Sequence, residues 1–373
     1  MSVPLVDFQR LPAEQTQAIR EAVLRVLEHK RFILGEEVAA FEAALGQRLG
    51  GVHCVGVSSG TDALLLALQA CDVQRGDSVV TTPYSFFATV GAVLRLGARP
   101  IFVDIDASDF GMDLRAADLR HCAAARALLP VHLFGGCLNL GPWQHALPNL
   151  PIVEDAAQAL DSRDAEGHFA GTRGRIGCFS FFPTKNLGAA GDAGMVVTRD
   201  AALAGRLRRL RIHGQSAPYE HSEIGGNFRM DTLQAAVLLA SLPFLDAAQA
   251  QRHANARRYA ALFAAAGVEG RVVLPRIEDG VGGGARHTVH QFVVRIPERR
   301  DAVLAGLKRA GIGAAVYYPL PLSLQPCCAF LGHKAGDFPV AERMAREVLA
   351  LPIAPGLRES EQAEVVAAIS KLL

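Results

Sequence analysis

From about residue 52 the chain alternates short β-branched apolar runs with longer segments of helical period. VHCVGV (52–57) leads into a helix from Thr61, and SVVTT (78–82) into one across 85–96. PIFVDI (100–105), a polar helix, RALLPV (126–131), a weak helix and PIVEDA (151–156) follow. CFSFFP (178–183) and AGMVVT (193–198) add two strands. Strand–helix alternation of this kind predicts an α/β region with a mostly parallel sheet covered on both faces. A helix across 231–241 closes it, and an Arg- and Ala-rich helical stretch runs over 244–266. The pattern then changes to a smaller α+β unit. VHQFVVRI (289–296) is a strand, 298–310 a helix and 313–318 a strand, followed by helices near 338–350 and 358–372. GVGGGAR (280–286) is a flexible loop, since consecutive glycines disfavour regular structure. The expected division is a large domain over 1–245 and a small C-terminal domain over 246–373.

Composition agrees with two domains. At 373 residues the chain exceeds what a single core usually organises, and half of its residues are hydrophobic. With 38 basic and 37 acidic residues, nothing argues for a nucleic-acid or membrane surface, and little opposes self-association. The opening MSVPLVDFQR lacks the basic-then-apolar layout of a signal peptide, and no apolar run reaches membrane-spanning length. The seven cysteines include no CxxC pair and read as reduced core residues. The expected location is the cytoplasm. No His/Cys/Asp/Glu spacing suggests a metal site.

Three segments carry candidate chemistry. SSGTDALLLAL (58–68) follows a strand and opens a helix, so small residues and unpaired N–H groups could receive a phosphate, with the Thr61 hydroxyl beside them. Taken alone, the segment reads more readily as an ordinary Ser/Thr/Gly helix cap. PIVEDAAQAL (151–160) places Asp155 at the carboxyl end of a strand, where open α/β sheets build their sites. A carboxylate there can pair with a protonated pyridine nitrogen, and Gln158 could reach a ring hydroxyl; the alternative is a strand-terminal acid capping the next helix. Glu154 points to the opposite face. In CFSFFPTKNLGAAGDAGMVVT (178–198), Lys185 follows an apolar strand within a Gly/Ala-rich loop. Desolvation lowers a lysine pKa and frees the amine for imine formation, although a plain loop lysine fits too. Ser180 and Thr184 supply hydroxyls suited to phosphate. GAAGDAG matches neither GxGxxG nor a P-loop. A fourth segment, GGNFRMDTLQAA (225–236), sets Asn227 and Arg229 before a helix.

Together SGTDAL, TTPYSFFAT, VDID, VHLFG, VEDAAQA, FSFFPTKNLGAAGDAG, HG, GGNFRMDTLQAA and YYPLPLSLQP resemble, in order and over nearly the whole chain, the DegT/DnrJ/EryC1/StrS sugar aminotransferases. The resemblance implies the pyridoxal 5'-phosphate (PLP) fold type I, like aspartate aminotransferase. It implies Lys185 as the Schiff-base lysine and proton carrier, Asp155 as partner of the pyridine nitrogen, and Gln158 near the ring hydroxyl. Gly60, Thr61 and Ser180 match the phosphate cradle, and Phe86 the aromatic residue stacked on the ring, where a residue of the helix core is the alternative. Asn227 matches a residue that reaches the phosphate held by the partner subunit, which implies a homodimer with shared active sites.

The resemblance further implies an amino donor, glutamate, and a nucleotide-linked keto-sugar as acceptor, closest to UDP-linked 3-keto hexuronates or similar 3-keto sugars. His213, Arg229, Tyr317 and Tyr318 form the expected substrate contacts. Many relatives carry His-Tyr-Pro where this chain has Tyr317-Tyr318-Pro319, and histidine in place of Ser323; these departures leave the sugar open. His132 reads as structural, and His287 and His290 as solvated. The competing functions are a sugar dehydratase, whose members typically replace the lysine with histidine, an aminotransferase for a non-sugar ring, and a non-catalytic sugar-nucleotide binding protein.

Overall fold

The computed structural model describes residues 3–280 and 284–373, so the centre of the GVGGGAR loop lies outside the described residues. In chain order, α1 (Ala13–His29) and α2 (Glu36–Arg48) precede β1 (His53–Val57), α3 (Gly60–Ala70), β2 (Ser78–Thr81), α4 (Ala88–Arg95) and β3 (Arg99–Phe102). Next come α5 (Leu119–Ala123), β4 (Ala127–Leu129), α6 (Gly141–Ala146), β5 (Val153–Asp155), β6 (Ile176–Ser180), β7 (Gly194–Thr198) and α7 (Ala201–Leu210). A small hairpin, β8 (Gln215–Ala217) and β9 (Glu220–His221), leads to α8 (Thr232–Ser241) and α9 (Leu245–Ala265). The C-terminal part comprises β10 (Phe292–Arg295), α10 (Arg300–Arg309), α11 (Pro339–Glu347), β11 (Val348–Leu351) and α12 (Glu359–Leu372).

The strands form an order β3-β2-β4 and an order β5-β6-β7-β1. Parallel bridges Leu128↔Ile152 and Val131↔Asp155 join β4 to β5. Within these two groups all pairings are parallel except those of β7, which is antiparallel to both β6 and β1. Alternation along the strands divides the core between two faces. Val55, Cys178 and Val196 pack with Leu64, Leu66 and Leu207 of α3 and α7. Their neighbours Cys54, Phe179 and Val197 pack with Phe41, Leu45 and Leu238 of α2 and α8. Both faces are thus apolar and covered, the condition under which a parallel sheet is stable.

A separate core unites Tyr259 and Phe263 of α9 with Phe292, Leu307, Leu349 and Ile369. Val3 belongs to this core and bridges Ile312, so the N-terminal arm crosses the expected boundary. Two expectations fail here. Residues 313–318 do not form a strand; only Ala315 bridges Ala350. The strand paired with β10 is β11, which the helical pattern over 338–350 had absorbed. The helix ends at Glu347 because Arg300 Nη1 donates to the carbonyls of Ala345 (2.9 Å) and Val348 (3.0 Å), and VLAL continues extended and fully buried. Likewise α4 starts at Ala88 rather than 85, leaving Ser85, Phe86 and Phe87 in the preceding turn. The stretch Thr232–Ala265 is long and apolar enough to cross a membrane by length and composition, which the sequence reading did not anticipate. It is broken by a 3-10 turn at Leu242–Phe244, and its apolar side chains fill the cores just described.

Candidate active site

The strand ends of β5 and β6, the N-terminus of α3 and the loop after β6 meet on one side of the sheet. Asp155 ends β5 and is buried. Its Oδ2 accepts from the Thr89 hydroxyl at 2.8 Å and its Oδ1 from Ala157 N–H at 3.2 Å. Because the Thr89 proton is committed to Asp155, Ser85 Oγ must donate to Thr89 Oγ1, 2.8 Å away. Burial raises the Asp155 pKa, against the lowering effects of Thr89, Ala157 and the Lys185 charge.

Lys185 follows β6 in a tight turn closed by its N–H to Phe182 O (2.8 Å). Its amine makes no hydrogen bond to any described residue. Lys185 also borders a cavity of 650 Å³ walled by the N-terminal arm, the loop 183–190, α8 and α9 and residues 354–356, and desolvation lowers its pKa to about 8, opposed by the charge of Asp155. A desolvated amine near neutrality is the state that condenses with a carbonyl.

Gly60 opens α3 directly against Ser180; a Cβ there would stand 2.7 Å from the Ser180 Cβ, so only glycine brings the helix N-terminus this close. Ser59 caps the helix by accepting from Asp62 N–H (3.1 Å), and Thr61 occupies the first turn. Gln158 is held at both ends: Oε1 accepts from Phe134 N–H (2.7 Å) and Nε2 donates to Tyr318 Oη (3.0 Å). Phe86 is 57 % exposed, with its ring centroid 6.1 Å from that of Tyr318, so the core-residue alternative fails. These placements fit PLP: an unpaired amine, an under-satisfied carboxylate, a helix end free of side-chain bulk and an uncovered aromatic ring.

Tyr84 and Thr89, within TTPYSFFAT, hold Tyr317–Tyr318 and Asp155, contacts that residue type alone did not single out. Tyr84 Oη donates to Tyr317 O and accepts from Tyr318 N–H, both at 2.9 Å, clasping the Tyr317–Tyr318 segment over the site.

The other expected contacts are distributed differently. Asn227 and Arg229 share a cavity of 520 Å³ with Ser58, Ser59, Asp62 and Ile33 of the same chain, and Arg229 Nε is buried without a partner. His213 lies exposed at the base of the β8–β9 hairpin with a left-handed backbone (φ 63°), and no contact in the single chain joins it to Lys185. Ser323 is buried with an unpaired hydroxyl. His287 and His290 are buried rather than solvated, because Arg163, Gly135 and Asn186 engage their segment. Desolvation drives the His287 pKa down to about 3 and that of His290 well below its ordinary value. His132 is structural: its Nδ1 accepts from Leu138 N–H (3.0 Å), so Nε2 carries the proton and donates to Glu154 Oε2 (2.7 Å). Asp164, Glu166 and His168 approach one another in a way that spacing did not announce, with Arg173 donating to both carboxylates.

Residues 13–370 match the model of the DegT/DnrJ/EryC1/StrS aminotransferase family. A Geobacillus stearothermophilus protein named pleiotropic regulatory protein is 41 % identical over 100 % of this chain and 98 % of its own length. The UDP-N-acetyl-3-dehydro-alpha-D-glucosamine 3-aminotransferase of Acidithiobacillus ferrooxidans is 40 % identical over 100 % of this chain and 98 % of its own. Among solved structures, S. venezuelae DesV in complex with a ketimine intermediate superposes with a TM-score of 0.92 at 36 % identity, covering 99 % of this chain and 98 % of that one.

Proposed function

Because the chain belongs to the DegT/DnrJ/EryC1/StrS aminotransferase family and is PLP-dependent, we propose that it moves an amino group from glutamate to carbon 3 of a nucleotide-linked 3-keto sugar such as a UDP-linked hexuronate. The observation that carries this reading is Lys185 in the loop after β6, its amine without a hydrogen-bond partner among the described residues, together with the buried, partly satisfied Asp155 that ends β5. The name of the Acidithiobacillus relative supports a UDP-linked 3-keto acceptor. The regulatory name of the Geobacillus relative does not displace it, since other relatives of similar identity carry aminotransferase names.

When bound, PLP supplies an aldehyde for amines and a ring that draws off the electron pair left on carbon when a proton departs. The chain does the rest. Lys185 Nζ would hold the cofactor and, released, take the proton from the donor's carbon in one half of the cycle and deliver it to the sugar carbon in the other. Asp155, oriented by Thr89 and Ala157 N–H, would keep the pyridine nitrogen protonated. Gln158, locked by Phe134 and Tyr318, would stand beside the ring hydroxyl, and Phe86 would cover a ring face. Gly60, Thr61 and Ser180 would hold the phosphate. His213, Arg229, Tyr317 and Tyr318 would contact the sugar nucleotide.

The active unit in this reading is a homodimer in which Asn227 reaches the partner's phosphate. Tyr219 on the hairpin is 96 % exposed, and Ile33, exposed beside the cavity of Asn227, supports a covered surface there. We divide the chain into domains at 245/246 and place it in the cytoplasm, where the free thiols of its cysteines would persist.

The test is direct. Purified protein should show the visible absorbance of lysine-bound PLP, absent in Lys185→Ala, and glutamate should convert it. A panel of UDP- and dTDP-linked 3-keto and 4-keto sugars, with products identified by NMR, should give amination at carbon 3. Lys185→Ala should lose at least about 10³-fold in turnover. A protein that reacts with no amino donor overturns the reading.

A further inference from the structure

The cavity lined by Lys185 contains a second cation that the reaction as derived does not use. Arg252, on α9, is only 8 % exposed, and no carboxylate pairs with it among the described residues. Its Nη1 donates to the carbonyls of Val289 and His290, each at 3.2 Å. Nε and Nη2 have no partner among the described residues. Arg10, on the same cavity wall, is by contrast saturated by Asp7 and Glu361. The lining is mixed, with Leu11, Ile19, Val237, Phe244 and Leu245 beside Gln15, Thr16, Asn186, Ser241 and Gln251. Arg252 holds the backbone at His290, whose ring meets Asn186, the residue after Lys185, at 3.3 Å.

A buried guanidinium without a counter-ion is costly. Its planar fork, with two donors free, matches a carboxylate bidentately. Even with its pKa lowered to about 10 by burial, the group stays charged at neutral pH. We propose that Arg252 is the carboxylate-recognition residue of this active site, receiving a substrate carboxylate in the cavity while the reacting carbon lies toward Lys185. The inference rests on the transaminase reading above. Two substrates could supply the group: the amino donor, or a hexuronate acceptor.

Holoenzymes of Arg252→Met and Arg252→Lys, followed separately through the two half-reactions, distinguish them. With glutamate as the source, Arg252→Met raises the half-saturating glutamate concentration by about 10- to 100-fold with little change in the limiting rate, and Arg252→Lys recovers part of the loss. With a uronate as the source, the defect falls on the hexuronate and spares the corresponding neutral hexose. Either pattern supports the proposal. An equilibrium titration of holoenzyme with glutarate, which cannot react, should show binding in the wild type and weakening in Arg252→Met. If both variants keep the cofactor absorbance and bind glutamate, glutarate and hexuronate as the wild type does, Arg252 merely clasps α9 to the segment before β10 and the proposal falls. Should Arg252→Met not fold, Arg252→Lys with unchanged half-saturation for glutamate and hexuronate overturns it equally. A wild type that binds glutarate through Arg252 but reacts with no donor would instead sink the transaminase reading.

Discussion

Glu154 and Asp155 are adjacent on β5, face opposite sides of the sheet, and meet opposite surroundings. Glu154 accepts the backbone N–H groups of Gly171, Arg173 and Gly174 and the Nε2–H of His132. A carboxylate offers about four lone-pair sites, so Glu154 is saturated by its own fold. Asp155, equally buried, accepts only from Thr89 and Ala157 and faces the amine of Lys185. A closed network of the first kind ties the loop at 171–174 to the sheet. An acid left with capacity in a buried setting is suited to a proton that arrives with a ligand. The difference between Glu154 and the proposed chemical carboxylate Asp155 is therefore one of unmet hydrogen bonding, since burial is shared.

That contrast is broken or sharpened by exchanging each acid for its amide. Asp155→Asn should lower turnover on the order of 10²- to 10³-fold, the range for one electrostatic group acting on the transition state, with the melting temperature near that of the wild type. Retained turnover would remove Asp155 from the chemistry. Glu154→Gln should do the reverse. Its new NH2 group confronts donors, so unfolding free energy should fall by about 2–4 kcal/mol in denaturant titrations, with turnover per folded molecule little changed. Loss of turnover without loss of stability in Glu154→Gln would show that the two faces are not separable.

The same strand shows how far sequence carries. An apolar run ending in two acids announced β5, and period-two alternation assigned Glu154 and Asp155 to opposite faces before any coordinates. The lysine loop and the glycine at the start of α3 were legible for the same local reason. The supports were not. Thr89 lies 66 positions from Asp155, and Tyr84 lies 233 from Tyr317, so no local pattern reports that either hydroxyl is engaged. His287 and His290 read as solvated because polarity is judged residue by residue, whereas their burial comes from the neighbouring loops that cover them. Arg252 hid in an Arg- and Ala-rich helix beside Arg258, which pairs with Glu359. β11 was lost because VLAL directly continues a helical period, and the Arg300 side chain that stops the helix is remote in sequence.

The finest effect concerns the amine opposite Asp155. In protein freed of cofactor, Lys185 is protonated below about pH 8 and cannot add to an aldehyde. The rate at which added PLP is captured, followed by absorbance, should therefore rise with pH up to about 8 and then level, where an ordinary lysine would keep gaining toward its usual 10.5. Asp155→Asn deletes the charge that opposes desolvation, so the midpoint should move lower. Stability has a definite sign as well. The folded pKa lies below the unfolded one, so between about 8 and 10.5 the unfolded chain binds more protons at this site. The Lys185 contribution thus makes the cofactor-free protein more stable as pH rises through that window. Denaturant titrations of the wild type and Lys185→Ala isolate it, since the other groups titrate in both. A stability difference that stays flat from pH 7 to 11, with capture still accelerating above pH 9, would mean that Lys185 is a solvated amine and that Asp155 faces nothing it can tune.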